Sequence, residues 1–228
     1  MIIDTHAHCL PQQTLDAARD SANDFPSIEF RESDGKIQLA FSGHPPTRPV
    51  SPKLRDPAPR LEFMRANGID IQLAGGWLDA FGYELEPGEG AAWSRFLNEQ
   101  AIAACSTLDG VIPLATVPLQ DGSLAAEVLG EAVDAGMPGA MIGTQPFGDR
   151  GNLDDPHLDP FWEKAADLRV PIIVHPMFGS PDARLKDFEM MNAVGRVCDV
   201  SIAVSRLLFT GHLTRFQGLT LIASTGGG

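Results

Sequence analysis

The chain has 228 residues, 43% of them hydrophobic, and a formal net charge of −13 at pH 7. This length and hydrophobic content are sufficient for one domain with a sizeable core. A strongly anionic surface repels phosphate backbones and anionic lipid, so we expect neither nucleic acid nor a membrane as a partner.

The cysteines and the N-terminal residues indicate the cellular compartment in which the protein is expected. Cys9, Cys105 and Cys198 lie far apart in the sequence, which predicts reduced thiols and no disulfide framework. The sequence begins with a strand-like segment in place of a charged and apolar leader, and it has no apolar run of the ~20 residues that span a bilayer. We therefore expect a cytoplasmic protein.

Six short apolar segments predict strands. They are rich in Ile, Val and Leu and do not alternate strictly with polar residues, which is typical of strands buried on both faces of a parallel sheet. In chain order the segments are 1–6, 69–74, 111–117, 139–143, 170–175 and 219–224.

Helical patterns lie between these strands. Asp56 followed by Pro57, and Asp159 followed by Pro160, are typical of helix starts. Strands that alternate with helices predict an α/β fold. Six such units without a GxGxxG turn favour a TIM-like α/β barrel over a dinucleotide-binding sheet, and we expect one domain over residues 1–228.

Residues 10–55 are too many for a simple connection between the first strand and its helix. The segments 27–31 and 36–41, joined across a Ser-Asp-Gly turn, predict a small hairpin. Four prolines within residues 45–52 then predict a stiff, extended return. We interpret this segment as an insertion over the barrel mouth.

The first predicted strand leads into His6-Ala7-His8. Side chains two residues apart on a strand point to the same face, with Cα atoms about 6–7 Å apart, so two imidazoles can reach one cation. Two histidines held by hydrogen bonds in the core are the alternative. Because the pair ends a strand of a barrel-like chain, where the active sites of barrels lie, we predict two metal ligands.

His175 ends the fifth predicted strand and follows a run of apolar residues. A lone buried histidine there is typically structural. Opposite the pair on the first strand of a closing barrel, it is predicted to be a third metal ligand. His44, His157 and His212 lie in polar surroundings, and we predict that they are solvated.

Several motifs together resemble the decarboxylase branch of the amidohydrolase superfamily, typified by aminocarboxymuconate semialdehyde decarboxylase and the resorcylate and carboxyvanillate decarboxylases. The resemblance extends over nearly the whole chain, and the set is more specific than any single motif. The motifs are Ile3-Asp4-Thr5-His6-Ala7-His8, Pro118-Leu119-Gln120-Asp121, Ile142-Gly143-Thr144, Leu158-Asp159-Pro160-Phe161-Trp162 and Val174-His175-Pro176.

The resemblance implies an eight-stranded barrel that holds one divalent metal ion, for which we expect zinc, with manganese as the alternative. It implies His6, His8 and His175 as ligands, together with an aspartate near the eighth strand. It also implies an arginine that binds a substrate carboxylate. Arg48 is the best match, because it precedes the helix that begins near Asp56.

Two departures from the family pattern affect the expected activity. At the position of the family's acid–base histidine, in a His-Gly-Gly-Gly pattern, this chain has Thr225, whose hydroxyl does not titrate near neutral pH. The sequence ends at Gly228, before a seventh and an eighth strand and before the aspartate ligand. We therefore expect a C-terminally incomplete barrel and interpret the sequence as truncated.

The function that we predict is a metal-dependent, non-oxidative decarboxylase of a small aromatic or muconate-type carboxylic acid. Phe178, which follows the fifth strand, is predicted to pack on an aromatic substrate. The alternatives are a hydrolase of the same superfamily and, because of Thr225 and the missing aspartate ligand, a catalytically impaired metal-binding barrel. Apolar positions within residues 190–209 fit either the core or a homodimer surface, and we favour the core.

Overall fold

Strands and helices alternate along the computed structural model, which describes residues 1–148, 150–177 and 182–225. The strands are β1 Ile3–His8, β2 Ile28–Ser33, β3 Lys36–Phe41, β4 Ile71–Gly75, β5 Val111–Pro113, β6 Ala140–Gly143, β7 Pro171–His175 and β8 Thr220–Ala223. The helices are α1 Gln12–Asp20, α2 Pro52–Arg55, α3 Ala58–Asn67, α4 Pro87–Cys105, α5 Gly122–Asp134, α6 Asp159–Leu168, α7 Arg196–Phe209 and α8 His212–Arg215. A π-helical turn, Met191–Gly195, leads directly into α7.

Six parallel strands form the sheet that positions the site. The strands β1, β4 and β5 pair in that order, as do β6, β7 and β8. A parallel bridge between Ala115 and Ala140 joins the two groups, so the spatial order of the strands follows their order in the sequence. The predicted α/β class is confirmed. Over the described residues β1 and β8 do not pair with each other, and the sheet is not closed into a barrel.

Strand β5 is shorter than the third predicted strand, which covered residues 111–117. Pro113 ends it, because proline has no N–H to donate to the ladder. Beyond it, the Leu114 N–H still bonds to β4 at 3.0 Å, whereas the Ala115 N–H bonds to the Gly139 carbonyl beside β6 at 2.9 Å. The chain changes its hydrogen-bonding partner here, and this change links the two halves of the sheet.

The expectation of strands buried on both faces is right for only part of the sheet. Every residue of β6 is buried, and β7 is buried from its second residue onward. In β1 only Ala7 is buried, because β1 lies at an edge of the sheet. The first strand also begins at Ile3 and continues to His8, two residues later than predicted.

The segment after β1 contains the antiparallel pair β2 and β3, with Asp34 and Gly35 at the turn. Both turn residues have positive φ, 51° and 70°, as a two-residue hairpin turn of the primed type requires. The proline-containing return then follows β3, since the N–H groups of Thr47 and Val50 donate to carbonyls of that strand at 2.7 and 2.8 Å. This return carries Arg48 toward the end of β1.

The largest hydrophobic cluster lies between the second half of the sheet and helices α5 and α6. Its largest fully buried side chains include Trp162, Phe161, Leu129 and Met141. Complete burial of a large apolar side chain stabilises the fold by about 1.5–3 kcal/mol. A second cluster packs the hairpin against Trp93 of α4.

Of the apolar side chains within residues 190–209, some are buried in the core and others are exposed. Leu207 is fully buried, as predicted, but Val194 is 38% and Leu208 is 51% exposed, so the core prediction is wrong for these two residues. The homodimer stays a prediction.

Among the helices described, none combines the length and the apolar character needed to cross a membrane.

Candidate metal centre

Three histidine rings meet at the carboxyl edge of the sheet. His6 and His8 lie at the end of β1, and His175 is the last residue of β7. Their ring centroids are between 4.7 and 5.4 Å apart, and one nitrogen from each ring lies within 4.8 Å of the other two. Within the described part of the chain, this is the one group of three or more His, Cys, Asp or Glu side chains close enough to share a metal ion.

Backbone carbonyls determine which nitrogen carries the proton in two of the rings. His8 Nδ1 lies 2.9 Å from the Gly76 carbonyl oxygen, and His175 Nδ1 lies 2.9 Å from the Pro176 carbonyl oxygen. Because a carbonyl oxygen only accepts, each Nδ1 donates, and the neutral ring has its lone pair on Nε2. Metal-binding histidines typically donate a hydrogen bond from the ring nitrogen that does not bind the metal, and this bond fixes the orientation of the ring.

The Nε2 atoms of His8 and His175 face each other at 3.0 Å. Two lone pairs at this distance repel each other unless a proton or a cation lies between them. Burial, followed by the charge of His8, lowers the pKa of His175 to about 3, and burial also lowers the pKa of His8. An extra proton is therefore disfavoured at neutral pH. Two nitrogens on one tetrahedral zinc are about 3.3 Å apart, so the residues present fit a metal ion.

His6 completes the group from the exposed side. The register between β1 and β4 shifts between Asp4 and Ala7, where β1 has one residue more than its partner. Such a bulge re-aims a side chain, and the His6 ring centroid lies 4.9 Å from that of His175. The His6 N–H donates to Asp4 Oδ1 at 3.0 Å and so fixes the bulge.

A chain of hydrogen bonds ties α3, β1 and β4 together at this point. The Arg60 guanidinium donates to the His8 carbonyl oxygen and to Gln72 Oε1. Gln72, which is buried, donates through Nε2 to Asp4 Oδ2 at 2.7 Å. The partners are up to 68 residues apart in the sequence, and no local motif signals these contacts.

A cavity of about 340 Å³ opens beside the three histidines. The described residues of its wall include Arg48, Arg196 and Thr225 and no Asp or Glu. Two cationic side chains in one wall favour an anionic ligand, although the chain as a whole has a net charge of −13.

Arg48, the predicted carboxylate-binding residue, lies in this wall and is held by Asp79. Its Nε and Nη2 atoms donate to the two oxygens of Asp79 at 2.9 and 3.2 Å. Its guanidinium carbon also lies 5.7 Å from the ring centroid of Trp77, within the range of a cation–π contact. Trp77 forms part of the same wall.

Arg196, the first residue of α7, was not predicted from the sequence. It lines the cavity together with Arg48, and partial burial followed by the charge of Arg48 lowers its pKa. It remains a cation at neutral pH, because a guanidinium group is not deprotonated in proteins. No spacing pattern marks this residue, since it follows a long connection and lies beside the histidines only through the packing of α7.

Two other predicted site residues have different outcomes. Thr225 follows β8 and lines the cavity, and its Oγ1 lies 3.5 Å from the Arg196 carbonyl oxygen. Phe178 lies outside the described residues, so its contact with a substrate stays a prediction.

The remaining histidines lie away from the site. His44 is exposed, as predicted. His157 is half-buried and stacks on Phe147 with 5.2 Å between ring centroids, so it is only partly solvated. The prediction for His212 is wrong: it is fully buried against Trp162, because α8 packs back onto α6.

The family model described as amidohydrolase matches residues 3–228, and the chain belongs to this family. A curated relative is the 2-amino-3-carboxymuconate-6-semialdehyde decarboxylase of Dictyostelium discoideum. It is 26% identical over 183 residues, which cover 79% of this chain and 50% of the relative. The chain therefore spans about half the length of this relative.

Solved structures of similar fold include IDCase from Metarhizium anisopliae, with a TM-score of 0.76 and 20% identity over 98% of this chain and 64% of that chain. Another is the 5-carboxyvanillate decarboxylase of Novosphingobium aromaticivorans, complexed with manganese and 4-hydroxy-3-methoxy-5-nitrobenzoic acid. Its TM-score is 0.70, with 19% identity over 98% of this chain and 64% of that chain. These likenesses show a shared α/β fold.

Proposed function

We propose that this chain carries the site of a metal-dependent decarboxylase that acts on a small aromatic or muconate-type carboxylic acid. The observation that carries the proposal is the facing pair of nitrogens on His8 and His175, beside a cavity lined by two arginines. The relatives support the reaction class, because the curated relative and the manganese-bound neighbour are named as decarboxylases of such acids.

His6, His8 and His175 would hold one divalent ion. Imidazole suits zinc, which is our first choice, and manganese, which one of the similar structures contains, is the alternative. When bound, the ion supplies a Lewis acid that stabilises negative charge on substrate oxygens. The two backbone carbonyls that accept from His8 and His175 keep both lone pairs directed at one point.

Arg48 and Arg196 would bind the anionic groups of the substrate. Asp79 already offsets part of the charge of Arg48, and a substrate carboxylate beside both arginines would offset the positive charge that remains. Asp79 holds the guanidinium of Arg48 in a fixed plane by its bidentate contact. Trp77 contributes an aromatic surface to the same wall, which suits an aromatic acid.

We also propose that residues 1–228 form one domain, with residues 10–55 lying over the mouth of the site. The support is that Arg48, Pro49 and Ser51, all from this segment, line the cavity that contains the histidines. The hydrogen bonds between the return and β3 fix their position. This segment would exclude water from a bound substrate.

A second candidate is a metal-binding member of the family with little decarboxylase activity, and Thr225 favours it. Decarboxylation needs a proton on the carbon that loses the carboxylate. A threonine hydroxyl does not supply that proton near neutral pH, and general acid–base catalysis contributes about 10²–10⁴-fold in rate. A hydrolase of the same superfamily would use the same three histidines.

The test is carbon dioxide release by the purified chain after metal removal and reconstitution with zinc or manganese. Substrates would be 5-carboxyvanillate and 2-amino-3-carboxymuconate-6-semialdehyde. We expect metal-dependent release that His175→Ala abolishes and that His44→Ala, an exposed control, retains. Release that survives His175→Ala would contradict the proposal, whereas a metal-loaded chain without release from either acid would support the second candidate.

A further inference from the structure

The peptide group between Pro176 and Met177 is hydrogen-bonded at both ends. Its carbonyl oxygen accepts from His175 Nδ1 at 2.9 Å. Its N–H, on Met177, donates to Asp199 Oδ2 at 2.9 Å. A carboxylate, one peptide unit and an imidazole therefore form a continuous chain that ends at the His175 nitrogen facing His8.

We propose that Asp199 is a positioning residue for His175 and acts through this peptide group. The inference rests on the proposed metal site and assigns to that site a residue that does not touch the metal. Metal-binding histidines commonly donate from the second ring nitrogen to a carboxylate or a carbonyl. Here both groups are present in series. The Asp199 carboxylate polarises the peptide group between Pro176 and Met177, and the carbonyl of that peptide accepts the hydrogen bond from the His175 ring.

Three elements converge on Asp199. It lies in the first turn of α7, whereas Met177 follows β7 and Thr144 follows β6. Because β6 and β7 are parallel neighbours, with Gly143 opposite His175, their carboxyl ends emerge side by side. The α7 helix therefore presents one carboxylate to both strand ends.

Thr144 fixes the orientation of the carboxylate. Its Oγ1 donates to Asp199 Oδ2 at 2.6 Å and also lies 3.3 Å from the Met177 nitrogen. A hydrogen bond to an ionised acceptor is about twice as strong as one between neutral groups. Hydrogen bonds in series strengthen one another by polarisation. The arrangement favours the Nδ1–H tautomer of His175, which leaves Nε2 available for a metal ion.

The first experiment measures zinc affinity by competition with a chromogenic chelator, for the wild-type chain, Asp199→Ala and Asp199→Asn. We expect about a 10–100-fold weaker affinity for Asp199→Ala, the range typical when an outer partner of a metal ligand is removed. Asp199→Asn should lose less, because the amide oxygen still accepts from the Met177 N–H without the negative charge. Affinity of Asp199→Ala within twofold of wild type would overturn the inference.

Asp154→Asn is the matched control for helix anchoring. Asp154 accepts from Arg206 Nε and Nη2 at 2.6 and 2.9 Å, and so holds α7 at a point away from the histidines. If Asp199 acted only by anchoring α7, Asp154→Asn would weaken zinc binding to the same extent. We expect it to leave zinc affinity within twofold of wild type, and an equal loss in both variants would overturn the inference.

The second experiment needs no metal. Long-range ¹H–¹⁵N spectra of the imidazole nitrogens in the metal-free chain, with His175→Gln used for assignment, report the tautomer of His175. We expect a single Nδ1–H tautomer in the wild-type chain and a mixture in Asp199→Asn, which is close in shape and should remain folded. An unchanged His175 spectrum in Asp199→Asn would overturn the inference. A wild-type chain that binds no zinc would refute the metal site alone, because the tautomer result stands separately.

Discussion

His8 and His175 are 167 residues apart in the sequence, and their Nε2 atoms lie 3.0 Å from each other. Each ring already donates through Nδ1 to a backbone carbonyl, so each Nε2 presents a lone pair. The fold thus holds two acceptors in contact, which is an unfavourable arrangement without a cation.

The first prediction concerns acid stability. Burial and the nearby His8 lower the pKa of His175 to about 3 in the folded chain, whereas the unfolded chain has an ordinary value near 6.5. Below about pH 6.5 the unfolded state binds the additional proton, so the free energy of unfolding falls as pH decreases toward the folded pKa. Urea denaturation of the metal-free chain between pH 7 and about 4 should show this fall.

The variant His175→Gln removes the group responsible, so its free energy of unfolding should decrease less steeply over the same pH range. The exposed His44 provides the comparison, and His44→Gln should behave like wild type. Equal pH dependence in His175→Gln and wild type would show that His175 is not held neutral by its surroundings.

The second prediction concerns binding of an aromatic carboxylate. Replacing Arg196 by Ala should weaken the binding of 4-hydroxy-3-methoxy-5-nitrobenzoic acid to the metal-loaded chain by about 10–100-fold, because a hydrogen bond to a charged group contributes about 1.5–3 kcal/mol. Calorimetric titration measures this loss. Arg31→Ala, which removes a cation from the exposed hairpin, should bind like wild type, and an equal loss in both variants would indicate only a long-range effect of net charge.

The third prediction tests whether Arg48 and Asp79 act together in binding the anion. Arg48→Ala should weaken binding more than Arg196→Ala, because it also leaves the carboxylate of Asp79 unpaired near the incoming anion. The double variant Arg48→Ala/Asp79→Asn should recover part of the loss in the same titration. If the double variant binds no better than Arg48→Ala, the two side chains are not coupled in the way that their contact indicates.

The fourth prediction concerns a buried amide that holds the centre of the sheet. Asn98 of α4 donates to the Thr116 carbonyl oxygen at 3.0 Å and accepts from the Thr116 N–H at 2.8 Å. Asn98→Ala leaves both backbone groups unsatisfied, which should lower the free energy of unfolding by about 2–5 kcal/mol. Chemical denaturation measures the change, and the neighbouring exposed variant Glu99→Ala is the control. A loss below about 1 kcal/mol would mean that water replaces the amide.

Local patterns in the sequence were sufficient to predict that the three histidines lie close together, whereas their role as metal ligands stays a prediction. The spacing of His6 and His8, and the apolar run that precedes His175, are short-range signals. Parallel strands place their carboxyl ends at one edge, so strand-end residues distant in the sequence are expected to meet. The Asp-Gly turn of the hairpin is a signal of the same kind.

Contacts that depend on distant packing had no such signal. Arg196 and Asp199 reach the site only because α7 packs against the ends of β6 and β7. The buried position of His212 depends on Trp162, 50 residues earlier in the chain, so its polar neighbours in the sequence were misleading. The bulge that turns His6 also depends on pairing with β4 rather than on β1 itself.

The fifth prediction concerns Thr225 as the position of a proton donor. Thr225→His introduces a group with a pKa near neutrality into the cavity wall. If the chain is a decarboxylase limited by the missing acid–base group, turnover should rise by up to about 10²–10⁴-fold. Thr220→His, which places an imidazole at the exposed start of β8, should have no effect. A lower turnover in Thr225→His with the metal still bound would contradict this role.

The metal content of the purified chain tests the central claim most directly. Elemental analysis of wild type should give about one equivalent of a divalent metal, zinc or manganese, per chain. The double variant His6→Ala/His8→Ala should contain almost none while keeping its circular dichroism spectrum, and His44→Ala should retain the wild-type content. A full equivalent in the folded double variant would contradict the assignment of the metal to these histidines.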